Sequence, residues 1–139
     1  LGIPAFDGDL SRGIGQIEQF RAGMEQITKR YPGCKTVASV LRNIRSAEES
    51  DWMGILLRGG TFYESPVHQV HVMEGVAAGD AFGAGLLHGL LRGTGPQETV
   101  DFAIAAGVLK LSIGGDLNLV TEDEVRAFLR KGGGARMNR

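Results

Sequence analysis

The carboxylate of Asp80 lies among small residues at the start of the most apolar helical segment of the chain, within EGVAAGDAFGAGLLHGLL (74–91). Backbone N–H groups at a helix N-terminus form an anion site together with the helix dipole, and small residues let a phosphate approach them closely. Glycine inside a helix costs up to about 1 kcal/mol relative to alanine, so the glycines of this segment require an offsetting gain. The segment therefore predicts either close helix packing or a backbone that approaches a ligand.

Two roles for Asp80 remain open from the residues alone. It can cap the helix, because a carboxylate in the first turn interacts with free N–H groups and with the dipole. It can also act as a base that takes a proton from a substrate hydroxyl, while the adjacent N–H groups stabilise a moving phosphoryl group. The physics by itself favours the cap. The glycines at 83, 85 and 89 are predicted to allow close packing against a neighbouring element.

Two familiar phosphate-binding motifs are disfavoured by the same segment. It contains no GKS or GKT sequence, which argues against a Walker loop. Its glycines fall inside the predicted helix instead of before it, which argues against a dinucleotide-binding GxGxxG turn.

The composition indicates one globular domain. The 139 residues are 42% apolar and 22% charged, which is enough chain for one buried core. A net charge of −1 gives no electrostatic reason to expect nucleic acid or a membrane surface as a partner. The single cysteine, Cys34, fits a reducing compartment, and no apolar run reaches the roughly 18 residues of a membrane span. We therefore expect a cytoplasmic protein.

Apolar periodicity and turn residues predict the elements that position Asp80. In chain order they are a helix ending before Pro32, a buried strand over 34–41, a hairpin around Gly59 and Gly60, a strand over 68–73, a helix from Gly79 that is buried on nearly all sides, a second apolar helix over about 96–111, and a third helix with a capping box between Thr121 and Glu124. This order predicts a layered α/β fold with Asp80 at a strand-to-helix junction.

We assign residues 1–131 to this domain and predict a flexible basic tail over 132–139, where KGGGARMNR begins at 131. The chain opens on Leu1 instead of methionine, so we expect a processed product, a fragment or a trimmed chain.

The sequence GVAAGDAFGAGLL (75–87) closely resembles the second signature of the ribokinase-like (PfkB) carbohydrate kinases, D-x-x-G-A-G-D-x-F-x-A-G. The resemblance continues in order through KTVASVLRN (35–43) and the segment 101–129, and covers about residues 16–130. Within the family, LKLSIGGDLNLV (109–120) most resembles the 2-keto-3-deoxygluconate kinases, in which a helix end with a lysine and a G-D-x-N turn recur. The resemblance implies the C-terminal, nucleotide-binding portion of a three-layer α/β/α ribokinase-like fold.

The implied activity is ATP-dependent phosphorylation of a sugar hydroxyl, with 2-keto-3-deoxygluconate as the expected sugar acid. Asp80 matches the catalytic base of the family, and the backbone at Ala77, Ala78, Gly79 and Asp80 matches its anion hole, the N–H groups that hold the transferred phosphoryl group. The positions that match ATP contacts are Val40, Leu41, Arg42, Gly54, Ile104, Gly107 and Gly115. Glu74, Val76 and Asn118 match positions around a monovalent cation, expected to be K⁺, and Mg²⁺ would arrive with ATP.

Three departures from the family pattern affect these expectations. Ala77 replaces the first glycine of G-A-G-D, which strains the turn if that position needs a positive φ. Glu74 replaces the usual aspartate. The N-terminal half of the family fold, with its G-G-x-x-N segment and most sugar contacts, is absent from this sequence.

Two alternatives therefore stay open. The chain could be a non-catalytic nucleotide- or anion-binding fragment that acts by association, or a related kinase for another sugar such as fructose or ribose. Because a truncated sheet exposes an unpaired strand and apolar surface, we also expect a homo-oligomer or association with a missing N-terminal half.

Overall fold

Residues 2–3 and 7–132 are described by the computed structural model, so the predicted tail falls outside the described residues from 133 onward. The elements are a 3₁₀ turn (Gly13–Gln16), α1 (Ile17–Arg30), β1 (Thr36–Ile44), β2 (Glu49–Arg58), β3 (Thr61–Glu64), β4 (His68–His71), α2 (Ala78–Arg92), α3 (Pro96–Lys110) and α4 (Glu122–Arg130). No described helix combines the length and apolar character needed to cross a bilayer.

The sheet is built around β2, which pairs with all three other strands in antiparallel fashion. β1 pairs along one edge of β2 over its whole length. β3 and β4 share the opposite edge, with β3 beside 55–58 and β4 beside 49–52. The predicted hairpin between β2 and β3 is confirmed: Gly59 and Gly60 have φ angles of 59° and 80°, which suit a tight turn between twisted strands.

Helices cover both faces of this sheet. Alternate side chains of β2 point to opposite faces, so Ile55 and Leu57 pack with Met24 of α1, whereas Trp52 packs with Phe82 and Ile104 on the other side. The expected three-layer α/β/α arrangement is therefore present, with α1 on one face and α2 and α3 on the other.

The helix over 96–110 lies at the centre of the helical layer. Ten of the fifteen residues of α3 are buried, because this helix contacts β2, β3, α2 and α4. Pro96 occupies its first turn, as predicted, where a missing N–H costs nothing. The prediction that α2 is buried on nearly all sides was wrong: Leu87 is 60% and Leu91 is 88% exposed, since only one side of α2 faces α3 in the described part of the chain.

The predicted strands differ from the observed strands at their ends and in their burial. β1 begins and ends later than predicted, and of its predicted core residues only Leu41 is buried, while Val37 and Val40 are half-buried. The reason is that β1 has a full partner strand on one side only, apart from a bridge between Arg12 and Asn43. β4 stops at His71 instead of 73, because the N–H of Met73 donates to the Leu111 carbonyl (2.9 Å) and leaves the sheet.

α4 is fixed at its start and along one side by polar contacts. The predicted capping box is confirmed, since Thr121 and Glu124 satisfy each other's backbone N–H groups. The Glu122 carboxylate contacts Arg126 (2.9 Å), His88 (3.3 Å) and Arg92 (3.5 Å), which joins α4 to α2. The hydrogen bond from Arg126, with the nearby His88 and Arg92, holds the pKa of Glu122 below its usual value.

Close helix packing accounts for two of the three glycines of α2 that were predicted to pack, those at 83, 85 and 89. A Cβ on Gly85 would lie 2.9 Å from the Ala103 Cα, and one on Gly89 would lie 2.8 Å from the Thr99 Cγ2, so α3 approaches the α2 backbone at both positions. The prediction was wrong for Gly83, where a Cβ would meet nothing within 4 Å.

These glycines give a matched test of the α2–α3 contact. We expect Gly85→Ala to lower the free energy of unfolding by about 1–3 kcal/mol, because the new methyl group pushes against the α3 backbone. We expect Gly83→Ala to raise it by about 0.5–1 kcal/mol, since alanine is the better helix residue where there is space. Urea denaturation of both variants measures the difference, and equal effects of the two substitutions would contradict the packing account.

Candidate active site

The turn that leads into α2 has a left-handed residue at its last position. Ala77 has φ 60° and ψ 8°, and it is the only described non-glycine residue with a positive φ. This conformation brings Cβ close to the backbone and costs an L-residue about 1–2 kcal/mol. The departure noted in the sequence therefore coincides with backbone strain at the position where the family motif has glycine.

Three backbone N–H groups at the start of α2 are free to bind an anion. The first helical hydrogen bond runs from the Ala81 N–H to the Ala77 carbonyl (2.9 Å). The N–H groups of Ala78, Gly79 and Asp80 come before it and have no partner among the described residues, and no side chain caps this end. A Cβ on Gly79 would meet nothing within 4 Å, so the space over this turn is open.

Asp80 lies in the first turn of α2 with an exposed side chain. Its carboxylate makes no hydrogen bond or ion pair with a described residue, so it does not cap the helix, which was the role that physics alone favoured. Its negative charge still interacts favourably with the positive end of the helix dipole. A carboxylate that is accessible and unbonded, beside free N–H groups, can accept a proton from a bound hydroxyl.

The start of α2 is held in place by the end of α3. Ala78 is 1% exposed, and its carbonyl would lie 3.1 Å from a Cβ on Gly107. Gly107, one of the predicted ATP contacts, is therefore a point of close approach between the two helices. The N–H groups of Met73 and Glu74 both donate to the Leu111 carbonyl (2.9 and 3.2 Å). The turn that leads into α2 is therefore attached to α3 on both sides.

A polar connection joins this turn to the loop after α3. The Glu74 carboxylate accepts the N–H of Gly115 at 2.6 Å. The ammonium group of Lys110 donates to the carbonyls of Gly115 (2.7 Å) and Ile113 (3.0 Å). Sequence reasoning noted the lysine as part of a motif but missed this role. A lysine directly after the apolar run FAIAAGVL (102–109) was the available signal, since buried lysines need partners.

The other predicted ATP contacts lie mainly in the layer between the sheet and the helices. Val40 of β1 is opposite Gly54 of β2, where a Cβ would lie 3.0 Å from Val100 and 3.2 Å from Phe82. Ile104 has 0% exposure in the same layer. These three residues therefore contribute to the packing between the sheet and the helices. A direct contact of any of them with a nucleotide stays a prediction.

Two of the remaining three lie on β1 and differ from each other in exposure. Leu41 is 1% exposed and packs towards α1, on the opposite face of the sheet from α2. Arg42 is exposed, so its guanidinium is available to a phosphate. Gly115, in the loop after α3, has φ 83°, a conformation that suits glycine.

The three residues predicted around a monovalent cation do not fit that role well. The Glu74 carboxylate is hydrogen-bonded to Gly115, and the Asn118 side-chain oxygen accepts the N–H of Val120 (3.2 Å) from an exposed position. Val76 is 51% exposed. No group of three or more His, Cys, Asp or Glu side chains in the described ranges could hold a metal ion.

Comparison with known proteins identifies the family to which the chain belongs. A sequence profile described as pfkB family carbohydrate kinase matches residues 44–123, which include the whole turn and Asp80. The chain belongs to the pfkB family of carbohydrate kinases. It is similar to a 2-dehydro-3-deoxygalactonokinase of Haloferax volcanii, with 39% identity over 80 residues that make up 57% of this chain and 25% of that protein.

Solved structures of the family share its fold. The 2-dehydro-3-deoxygluconokinase of Thermotoga maritima aligns with 94% of this chain, with a TM-score of 0.79 and 28% identity. A PfkB family carbohydrate kinase from Listeria grayi aligns with 77%, with a TM-score of 0.75 and 33% identity. This chain covers 37% and 34% of those two chains. The expected family and fold class are confirmed, and the chain corresponds to about a third of the pfkB kinase fold.

Replacement of Ala77 by glycine tests the strain in the pfkB turn. We expect Ala77→Gly to raise the free energy of unfolding by about 1 kcal/mol, because glycine adopts positive φ without a Cβ clash. Ala84→Gly, at an exposed position inside α2, is the matched control and should lower it by up to about 1 kcal/mol. Chemical denaturation monitored by circular dichroism measures both changes. A loss of stability in Ala77→Gly similar to that of the control would show that the turn is not strained.

Proposed function

We propose that this chain forms the ATP-binding and catalytic-base part of a sugar kinase that acts on a 2-keto-3-deoxy sugar acid, with 2-keto-3-deoxygluconate as the first candidate. The observation on which the proposal rests is the unbonded Asp80 carboxylate beside three unpaired N–H groups at an open helix start. The substrate class is supported by the names of the Haloferax and Thermotoga relatives, both kinases of 2-dehydro-3-deoxy sugar acids.

The proposed reaction transfers the γ-phosphoryl group of ATP to a sugar hydroxyl. The hydroxyl oxygen attacks the γ-phosphorus, its proton passes to Asp80, and the bond between the γ-phosphorus and the bridging oxygen of ADP breaks. The N–H groups of Ala78, Gly79 and Asp80 donate to the oxygens of the transferred group, where negative charge must be held during transfer. Mg²⁺ bound to the ATP phosphates supplies further neutralisation of charge.

ATP binding is proposed at the surface between the start of α2, the loop after α3 and the end of β1. Arg42 offers an exposed cation there, and Gly107 and Gly115 let the backbone of α3 and its loop come close to a ligand. The sugar contacts are assigned to the part of the fold that this chain does not include. The 139 residues alone should therefore bind ATP weakly and phosphorylate little.

Asp80→Asn tests the assignment of the base. It keeps the side-chain volume and removes the proton acceptor, so we expect kcat for sugar phosphorylation to fall by about 10²–10⁴ while the Kd for ATP changes less than about twofold. Phosphorylation is measured in the longest natural polypeptide that contains this sequence, with 2-keto-3-deoxygluconate, 2-keto-3-deoxygalactonate, fructose and ribose as substrates. ATP binding is measured by calorimetry in the same protein.

Asp123→Asn is the matched control, since Asp123 is also an exposed carboxylate in the first turn of a helix. It should leave kcat unchanged. Retained phosphorylation by Asp80→Asn would remove Asp80 from the mechanism, and turnover of fructose or ribose in preference to the keto-deoxy acids would replace the proposed substrate class.

A non-catalytic role is the second candidate, and the left-handed Ala77 is the observation that favours it. Strain in the anion-binding turn weakens the arrangement of N–H groups on which phosphoryl transfer depends. Under this alternative the chain binds ATP or another anion without turnover. Binding of phosphate with no detectable phosphorylation of any of the four sugars tested for Asp80→Asn would support the non-catalytic role over the kinase proposal.

We also propose that the chain associates through surface left uncovered by its described residues. β1 has a free edge over most of its length, and Leu87 and Leu91 of α2 are exposed. Unpaired strand edges and contiguous apolar surface favour pairing with a second copy or with the rest of the kinase fold. Sedimentation velocity at tens of micromolar should show a dimer or larger species, and Leu91→Glu should shift it towards monomer. A clean wild-type monomer would refute association between copies.

A further inference from the structure

Lys110, the last residue of α3, is a fully buried cation. It has 0% exposure, and it forms no ion pair with a described residue. Burial of an ammonium group is costly unless its donors are satisfied, so its partners should have a structural purpose. The proposed phosphoryl transfer does not use this residue.

The partners of Lys110 are backbone carbonyls of the kind that bind cations. Its ammonium donates to Ile113 (3.0 Å) and Gly115 (2.7 Å), in the loop that continues from the C-terminal end of α3. Lys110 itself lies in the last turn of α3, at the negative end of the helix dipole. Rings of backbone carbonyls are also the ligands that proteins use for K⁺. A positive charge is therefore favoured at this position, and Lys110 supplies it.

Gly115 also connects the Lys110 ammonium to Glu74, the carboxylate among the three residues predicted around a monovalent cation. Gly115 gives its carbonyl to Lys110 and its N–H to Glu74 (2.6 Å), so the two opposite charges hold one residue from both sides. Glu74 is in turn joined to Leu111 through its own N–H (3.2 Å). The loop after α3 and the turn before α2 are thus fixed to each other by charged groups of the chain itself.

We infer that the Lys110 ammonium takes the place of a bound monovalent metal ion beside the start of α2. It occupies carbonyl oxygens that an alkali ion would otherwise take. Of the three residues predicted around such an ion, Glu74 and Asn118 already have side-chain oxygens bonded to backbone N–H groups. The arrangement of the anion-binding turn is then independent of K⁺ and Na⁺.

Thermal unfolding in different salts tests this inference without using kinase activity, so its failure leaves the proposed function unaffected. The melting temperature of the wild-type chain should agree within about 1 °C in KCl, NaCl and choline chloride at equal ionic strength, because these salts screen exposed charges alike. A melting temperature several degrees higher in KCl than in choline chloride would show that a metal ion binds, and would overturn the inference.

Two substitutions at Lys110 separate charge from packing. Lys110→Met keeps most of the apolar stem and removes the charge, and it should lower the melting temperature by on the order of 10 °C in every salt. Lys110→Ala also leaves space, so K⁺ or methylammonium should recover part of its loss, whereas choline should not. Recovery by a small cation is the result that a purely packing role would not give.

Lys35→Met is the matched control, because the Lys35 ammonium also donates to a backbone carbonyl, that of Pro32 (2.7 Å), from an exposed position. It should leave the melting temperature unchanged in all salts. Lys110→Met as stable as the wild type, or Lys110→Ala destabilised with no recovery by any small cation, would each overturn the assignment. The wild-type salt series decides the question even if both variants fail to fold.

Discussion

The close approach of α2 to α3 is the constraint on which the site depends. Gly85 and Gly89 let the backbone of α2 approach α3, and Gly107 does the same from α3 towards Ala78 at the start of α2. Gly54 continues this packing into the sheet, where Phe82, Val100 and Ile104 lie over it. A side chain at any of these positions would separate the layers, and the start of α2 would move with them. The glycines thus lower the helix propensity of these segments, but the close packing that they allow fixes the position of Asp80.

Polar contacts also hold the turn before α2 in place. The turn before α2 is joined to the end of α3 by the Leu111 carbonyl, and to the following loop by Glu74 and Lys110 through Gly115. These contacts use the polar groups around the turn, whereas the N–H groups of Ala78, Gly79 and Asp80 have no partner among the described residues. Unpaired N–H groups at a helix start, with bonded groups around them, are donors that an anion could accept. The left-handed Ala77 shows that the surrounding structure holds this shape against a local energetic cost.

Local signals predicted most of the elements and the junction at which Asp80 lies. Gly59 and Gly60 indicated the hairpin, Pro96 the start of α3, and Thr121 with Glu124 the capping box, because each reflects chemistry within a few residues. Predictions that depended on distant neighbours were less accurate. β1 was expected to be buried and is a partly exposed edge, and α2 was expected to be covered on nearly all sides although Leu91 is exposed. Burial depends on which elements pack against a segment, and periodicity does not specify that.

The sequence by itself determined that a carboxylate and small residues lie at a strand-to-helix junction, and its motif pointed to the pfkB kinases to which the chain belongs. Only the tertiary structure showed that the Asp80 carboxylate does not cap the helix, because the capping bond depends on side-chain geometry that composition cannot supply. Only the tertiary structure separated Gly85, which α3 approaches, from Gly83, which nothing approaches. Only the tertiary structure showed that Lys110 is bonded to the loop beside the candidate active site, since that contact requires the chain to turn back at the end of α3.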